Sequence, residues 1–170
     1  MRSYKLEVLD LNRLDYDTTI YIYLLDEGSA AYRPVPAAQI SSGVYLLDGQ
    51  DFFNPEDEKW EFLPGSHVIV EEKIFRLAGQ HLVAVDFAKN DSSDATVYVH
   101  ILNADLPITW RPLPAKRMNN GTYLLLGAEF YHPENEQWEF LPGSHVTVEE
   151  RIGDRGFGEF KYLVAVTSTK

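Results

Sequence analysis

Nine residues, Trp60-Glu61-Phe62-Leu63-Pro64-Gly65-Ser66-His67-Val68, recur letter for letter as Trp138-Glu139-Phe140-Leu141-Pro142-Gly143-Ser144-His145-Val146. The spacing is 138 − 60 = 78 residues, and the match continues outward from the nonamer without a gap. A segment that repeats at a fixed period must find the same local fold twice, so the repeat is read before any other signal. Units of this length lie near the lower limit for a self-sufficient core, and the two copies are expected to lean on each other. The boundaries implied are 1–90 and 91–170, with the seam near 88–94.

Within each copy the periodicity is that of strands. Lys5 to Leu11 alternates apolar and charged residues, and after a polar turn Thr18 to Leu25 is rich in β-branched and aromatic side chains, so the two read as a hairpin. Leu82 to Ala88, the turn Lys89 to Asp94 and Ala95 to Leu102 read as the same hairpin in the second copy, but Leu82 to Ala88 also matches the final strand Leu163 to Ser168, which leaves open whether it ends the first unit, begins the second or serves both. Arg33-Pro34-Val35-Pro36-Ala37 returns as Arg111-Pro112-Leu113-Pro114-Ala115. Alternate prolines remove backbone donors, which predicts an extended connection across an end of the sheet, with room for one helical turn over Ala37 to Ile40. Third strands are predicted over Gly43 to Leu47 and Gly121 to Leu125, followed by acidic loops at 51–59 and 129–137.

In the nonamer, Trp60 and Phe62 fall on one side of a strand and Glu61 on the other. Pro64-Gly65 has the chemistry of a tight reversal, so a hairpin is expected there, with Trp60 and Trp138 as packing anchors. On the return limb Val68 and Val70 share the face assigned to the core, and His67 and Ile69 the opposite one. Beyond Ile74 and Ile152 the copies part. The interval between Leu82 and its counterpart Leu163 becomes 163 − 82 = 81, a three-residue insertion in the glycine-rich tip Gly153-Asp154-Arg155-Gly156-Phe157-Gly158. About five short strands per copy and no amphipathic helical window predict an all-β protein, a tandem duplication of two small SH3-like barrels.

Composition narrows the function. Twenty-six acidic against fifteen basic residues give a formal charge of −11, which disfavours nucleic acid and anionic lipid and favours a partner with a basic surface. The chain has no cysteine, which removes disulfide, thiolate and cysteine-zinc chemistry. The first residues lack a signal-peptide pattern and no run of about 18 apolar residues occurs, so a soluble, cytoplasmic protein is expected.

Catalytic and metal constellations fare poorly. The glycine-rich tip lies between strands, whereas a phosphate loop opens a helix. His67 and Glu71 are roughly 13 Å apart along an extended strand, too far for one ion. The loop from Asp51 to Glu58 has oxygen ligands but Phe53 at its third position and no central glycine, unlike a calcium loop. The adjacent carboxylates Glu71-Glu72 and Glu149-Glu150 point to opposite faces. No catalytic residue, metal site or cofactor is assigned. The residues with the composition of a binding surface, aromatic anchors among acids and the longer tip, are Asp51, Phe53, Asp57, Glu58, Trp110, Tyr131, Glu134, Glu136, Arg155 and Phe157.

The Trp-Glu-Phe-Leu-Pro-Gly-Ser segments at Trp60 to Ser66 and Trp138 to Ser144 resemble small all-β immunity proteins of bacterial toxin systems, in which a W-x-F-x-P-G-x strand and turn recurs. The resemblance covers about 30 residues of each copy and implies an inhibitor that binds a cognate toxin in the producing cell's cytoplasm. The reading favoured is a non-enzymatic, acidic, protein-binding protein of this kind. A tandem peptide- or scaffold-binding module, and a small hydrolase or metal-dependent enzyme with a site between the copies, are the alternatives. Partner identity and oligomeric state stay open.

Overall fold

A computed structural model describes residues 14–169. The predicted strand over Lys5 to Leu11 lies outside the described residues. The fold is all-β, with 53% of residues in strands and 2% in helix. In chain order the strands are β1 (Thr18–Leu25), β2 (Tyr32–Ser41), β3 (Val44–Leu47), β4 (Lys59–Trp60), β5 (His67–Phe75), β6 (Gly79–Phe87), β7 (Ala95–His100), β8 (Trp110–Arg117), β9 (Tyr123–Leu125), β10 (His145–Asp154) and β11 (Glu159–Thr169).

The duplication reappears as a duplicated set of pairings. In the first unit β1 pairs with β2, β2 with β3, β3 with β5, β5 with β6, and β6 returns in parallel to β1. In the second, β7, β8, β9, β10 and β11 follow the same circuit, with β11 parallel to β7. Ile20 faces Val35 and Leu82, as Val97 faces Leu113 and Leu163. Even the bulge recurs, between Ile69 and Val70 and between Thr147 and Val148. An irregularity of this kind bends the strand that carries it and increases its twist. Each circuit encloses its own core. One gathers Ile20, Ile22, Val35, Trp60, Phe62 and Val68; the other gathers Val97, Val99, Leu113, Leu125, Trp138 and Val146. The valine face therefore points inward, as its alternation requires.

Three sequence expectations are corrected. Leu82 to Ala88 and Ala95 to Leu102 do not form a hairpin: β6 pairs with β5 and β1, and β7 with β8 and β11, so the chain passes from one sheet to the other between Phe87 and Ala95. The two segments have the same strand character, and character alone carries no information about partner.

The proline segments are strands, not connections or a helical turn. Along an antiparallel strand each residue turns its amide and carbonyl to one side, alternating. Pro36 turns its carbonyl away from β1, accepting from the Asp48 amide at 2.9 Å, while Pro114 does the same for Leu126 at 2.9 Å. The missing donors of Pro34 and Pro36 thus fall on the side away from β1, at and beyond the end of the β3 ladder that starts at Ala37, so the β1 ladder loses none of its bonds. Ala37 and Ala38, offered to a helical turn, pair instead with Leu47 and Leu46.

Nor is the nonamer a hairpin. Its first limb joins β1, with Trp60 opposite Leu24, and its second joins β3 and β6. The Pro64-Gly65 turn is clamped to β3 by Gly65 N–H to the Leu47 carbonyl at 2.9 Å and Leu47 N–H to the Ser66 carbonyl at 3.0 Å. Gly143 and Ser144 make the same clamp on Leu125, at 2.7 and 2.9 Å. Gly65 and Gly143 have φ of 90° and 92°, so the turn needs glycine. The chain leaves it along β3 rather than back along β4.

Trp60 is 1% and Trp138 4% exposed. Trp60→Ala and Trp138→Ala are each expected to lower unfolding free energy by about 3–5 kcal/mol. Equilibrium denaturation measures this, and an unchanged midpoint in either variant overturns the anchor role.

Candidate protein-interaction site

The two units meet through side chains that differ in role although they descend from the same positions. Arg111, at the start of β8, is 1% exposed. It donates from Nε and Nη2 to both oxygens of Glu136, at 2.9 and 2.6 Å, and from Nη1 to the carbonyls of Trp60 and Glu61 in the first unit. Trp138 Nε1 donates to the same carboxylate at 2.9 Å. The first unit repeats the triad as Arg33, Glu58 and Trp60, with donor distances of 2.9, 2.5 and 3.3 Å, but in the open: the Arg33 side chain is 45% exposed.

Glu61 faces away from its core, as alternation predicts, yet is only 2% exposed because the second unit covers it. Arg155, on the tip between β10 and β11, donates to Glu61 Oε2 at 2.8 Å and to the Tyr98 hydroxyl. Tyr32 in turn donates to the Arg155 carbonyl at 2.6 Å. Asp26 adopts φ of 62°, a left-handed conformation rare outside glycine. Its carboxylate accepts from the amides of Asp105 and Leu106 at 2.7 and 2.6 Å, contacts that hold the strained residue in place.

The two interface carboxyls shift in opposite directions, although burial pushes both up. Desolvation is the largest influence on both. Glu136 receives donors on both oxygens, and Arg111 and Trp138 hold its carboxyl below the usual range despite burial. Glu61 Oε1 has no partner, and burial outweighs Arg155 and lifts that carboxyl above the range. Burial also raises the Tyr98 and Tyr32 hydroxyls.

The ten residues singled out in the sequence do not converge on one surface. Arg155 and Phe157 are engaged inside the chain, Phe157 lying 5.6 Å from the Tyr32 ring and 5.1 Å from Phe75 between centroids. Glu136 is buried with Arg111, and Glu58 is partly covered by Arg33. Phe53 packs on Trp60 at 4.8 Å and Tyr131 on Trp138 at 4.6 Å, both partly buried. Trp110 lies partly buried 5.4 Å from the His100 ring, and Glu134 is exposed beside His132.

Asp51 and Asp57 are exposed together with Glu56 on the loop between β3 and β4. The exposed aromatic of the same loop is Phe52, 51% exposed, and not its neighbour Phe53. Nothing in Phe52-Phe53 marks which ring turns inward. The turn decides it, with both amides donating to the Gly49 carbonyl, at 3.2 and 2.8 Å. Asn54 holds the rest: its Oδ1 accepts from the Glu56 amide at 3.0 Å and its Nδ2 donates to Asp57 Oδ2 at 3.1 Å.

A cleft of about 520 Å³ follows the boundary between the units, with Phe87, Leu124 and Phe130 among its lining and His67 and Glu129 as its ionisable groups. Among the described residues, no three of histidine, aspartate and glutamate are grouped so as to hold a metal ion. No helix of the described residues is long and apolar enough to cross a membrane. The chain matches no known protein family, no curated protein and no solved structure.

Arg111→Ala strands the buried Glu136 carboxylate and is expected to cost about 3–5 kcal/mol. Arg33→Ala, at the exposed counterpart, is expected to cost roughly 0–1 kcal/mol. Equal losses in a denaturation series would contradict the assignment of depth.

The carboxyl shifts carry opposite signs. Glu136 contributes stability present above the ordinary carboxylate range and lost as pH falls through its folded pKa. Glu61 contributes stability present while it is protonated and lost as pH rises through its folded pKa. Relative to the parent chain, Glu61→Gln should therefore gain stability as pH rises across the acid range, while Glu136→Gln should lose it. Unfolding free energies at a series of pH values check the two slopes, and slopes of equal sign refute the contrast.

Proposed function

We propose that the protein is a non-catalytic, cytoplasmic binding protein built of two SH3-like barrels, an immunity-type inhibitor that neutralises a toxin with a basic surface by stoichiometric association. The observation that carries the reading is Phe52, a half-exposed ring on a hydrogen-bonded loop that also carries the exposed Asp51, Glu56 and Asp57. An aromatic anchor held in place before binding loses little freedom on association. The acids of that loop attract a basic partner over distance, consistent with the chain's charge of −11. The five-strand pairing circuits, each with a bulge at the same step, support the barrel reading.

Capture from the native source at low and then moderate salt, followed by reconstitution from purified components, tests this. The expected outcome is a one-to-one complex with a basic protein whose toxic activity the chain abolishes. Phe52→Ala should raise the dissociation rate, costing about 2 kcal/mol as a central anchor. Asp51→Asn with Asp57→Asn should instead slow association and flatten its salt dependence. A reconstituted partner that keeps its activity, or a complex indifferent to all three substitutions, overturns the proposal.

A further inference from the structure

The contact between the units is heterologous. The second unit supplies Arg111 and Phe130; the first supplies the carbonyls of Trp60 and Glu61, together with Leu25 and Phe87. Were the units related by a two-fold, Arg33 would reach the carbonyls of Trp138 and Glu139 as Arg111 reaches those of Trp60 and Glu61. It does not; it is exposed beside Glu58. A heterologous contact uses one face of each unit and leaves the complementary face of each open.

Those open faces retain much of the interface chemistry. Arg111 and Phe130 correspond, at 111 − 33 = 78 and 130 − 52 = 78, to Arg33 and Phe52, both exposed on the first unit. Leu25 is packed into the second unit's core at 8% exposure, while its counterpart by strand pairing, Leu102, is 56% exposed. Glu61 and Leu63 are covered or partly covered, while Glu139 and Leu141 are exposed, Leu141 at 46%. Each exposed apolar residue here occupies a position that is buried or half-buried in the other copy.

We propose that the protein associates with further copies of itself head to tail, the Arg33–Phe52 face of one copy seating on the Leu102–Glu139–Leu141 face of the next as the second unit seats on the first within a chain. Two differences make this contact weaker than the internal one. The first unit's tip is shorter by three residues, ending in Arg76-Leu77-Ala78, and the position of Phe87 is taken by Ser168, 168 − 87 = 81 residues on. The charge of −11 opposes approach of like copies, so association strengthens as salt screens it. The inference goes beyond the toxin-binding reading, and its test uses the chain alone, so failure of either leaves the other standing.

Sedimentation velocity over a concentration series, at low and physiological salt, tests it. The expected result is a concentration-dependent series of species that grows beyond the dimer and is favoured by salt. Arg33→Glu with Phe52→Asp blocks one face, and Leu102→Asp with Leu141→Asp the other; all four positions are exposed, and circular dichroism checks that the fold persists. Each blocked variant alone should sediment as a monomer, since only one face survives and it finds no open complement on an identical variant. An equimolar mixture of the two should form a dimer and stop there. A wild-type chain that stays monomeric throughout overturns the proposal, as does a dimer that neither pair of substitutions affects or a mixture in which no dimer forms.

Discussion

The arrangement of the two units depends on one buried guanidinium. Arg111 satisfies Glu136 within its own unit and two backbone carbonyls of the other, so neither charge nor carbonyl is left bare when the units close. A buried ion pair is not by itself a source of stability, because desolvating both charges offsets much of their attraction. What it supplies here is geometry. The planar fork of arginine fits a carboxylate on one edge while its remaining donor fixes where the first unit must lie.

Around that centre the same residue types take different parts according to which unit carries them. The Arg–Glu–Trp triad is buried once and exposed once. Glu61 is enclosed and paired to Arg155, while Glu139 is solvated near His100. The three-residue insertion, the clearest divergence between the copies, brings Arg155 and Phe157 across the boundary onto Glu61, Tyr32 and Phe75. Duplication thus supplied two equal units, and the insertion in one of them adds contacts across the boundary from one side only.

Direction has a functional consequence. A chain whose halves met by two-fold symmetry would cover equivalent faces, and whatever the motif offers would be used up twice. Here one copy of each face stays in solvent. The acidic loop with Phe52 is the counterpart of the loop that carries Phe130 into the boundary. The surface proposed to meet a partner is therefore the outward copy of a surface that already works as an interface inside the chain.

Repeat length, the all-β class, strand positions such as Thr18–Leu25 and the inward valine face were legible in the sequence, because period-2 alternation and β-branched side chains report burial directly. The glycine requirement at the Pro64-Gly65 and Pro142-Gly143 turns was legible as well. Which strands become neighbours was not. Leu82 to Ala88 reads identically whether it pairs forward to β7 or back to β5, and the Pro-Gly turn looks like a hairpin until β3 takes its amide. Pairing is chosen by non-local hydrogen bonds and by which closure buries both faces, and neither leaves a mark in local composition. The same holds for the candidate site: Phe52 and Phe53 are one residue type in one loop, and Arg33 and Arg111 share one motif. Only the tertiary contact decides which ring and which guanidinium remain in water, since burial is a property of what lies opposite in space rather than of the residue itself.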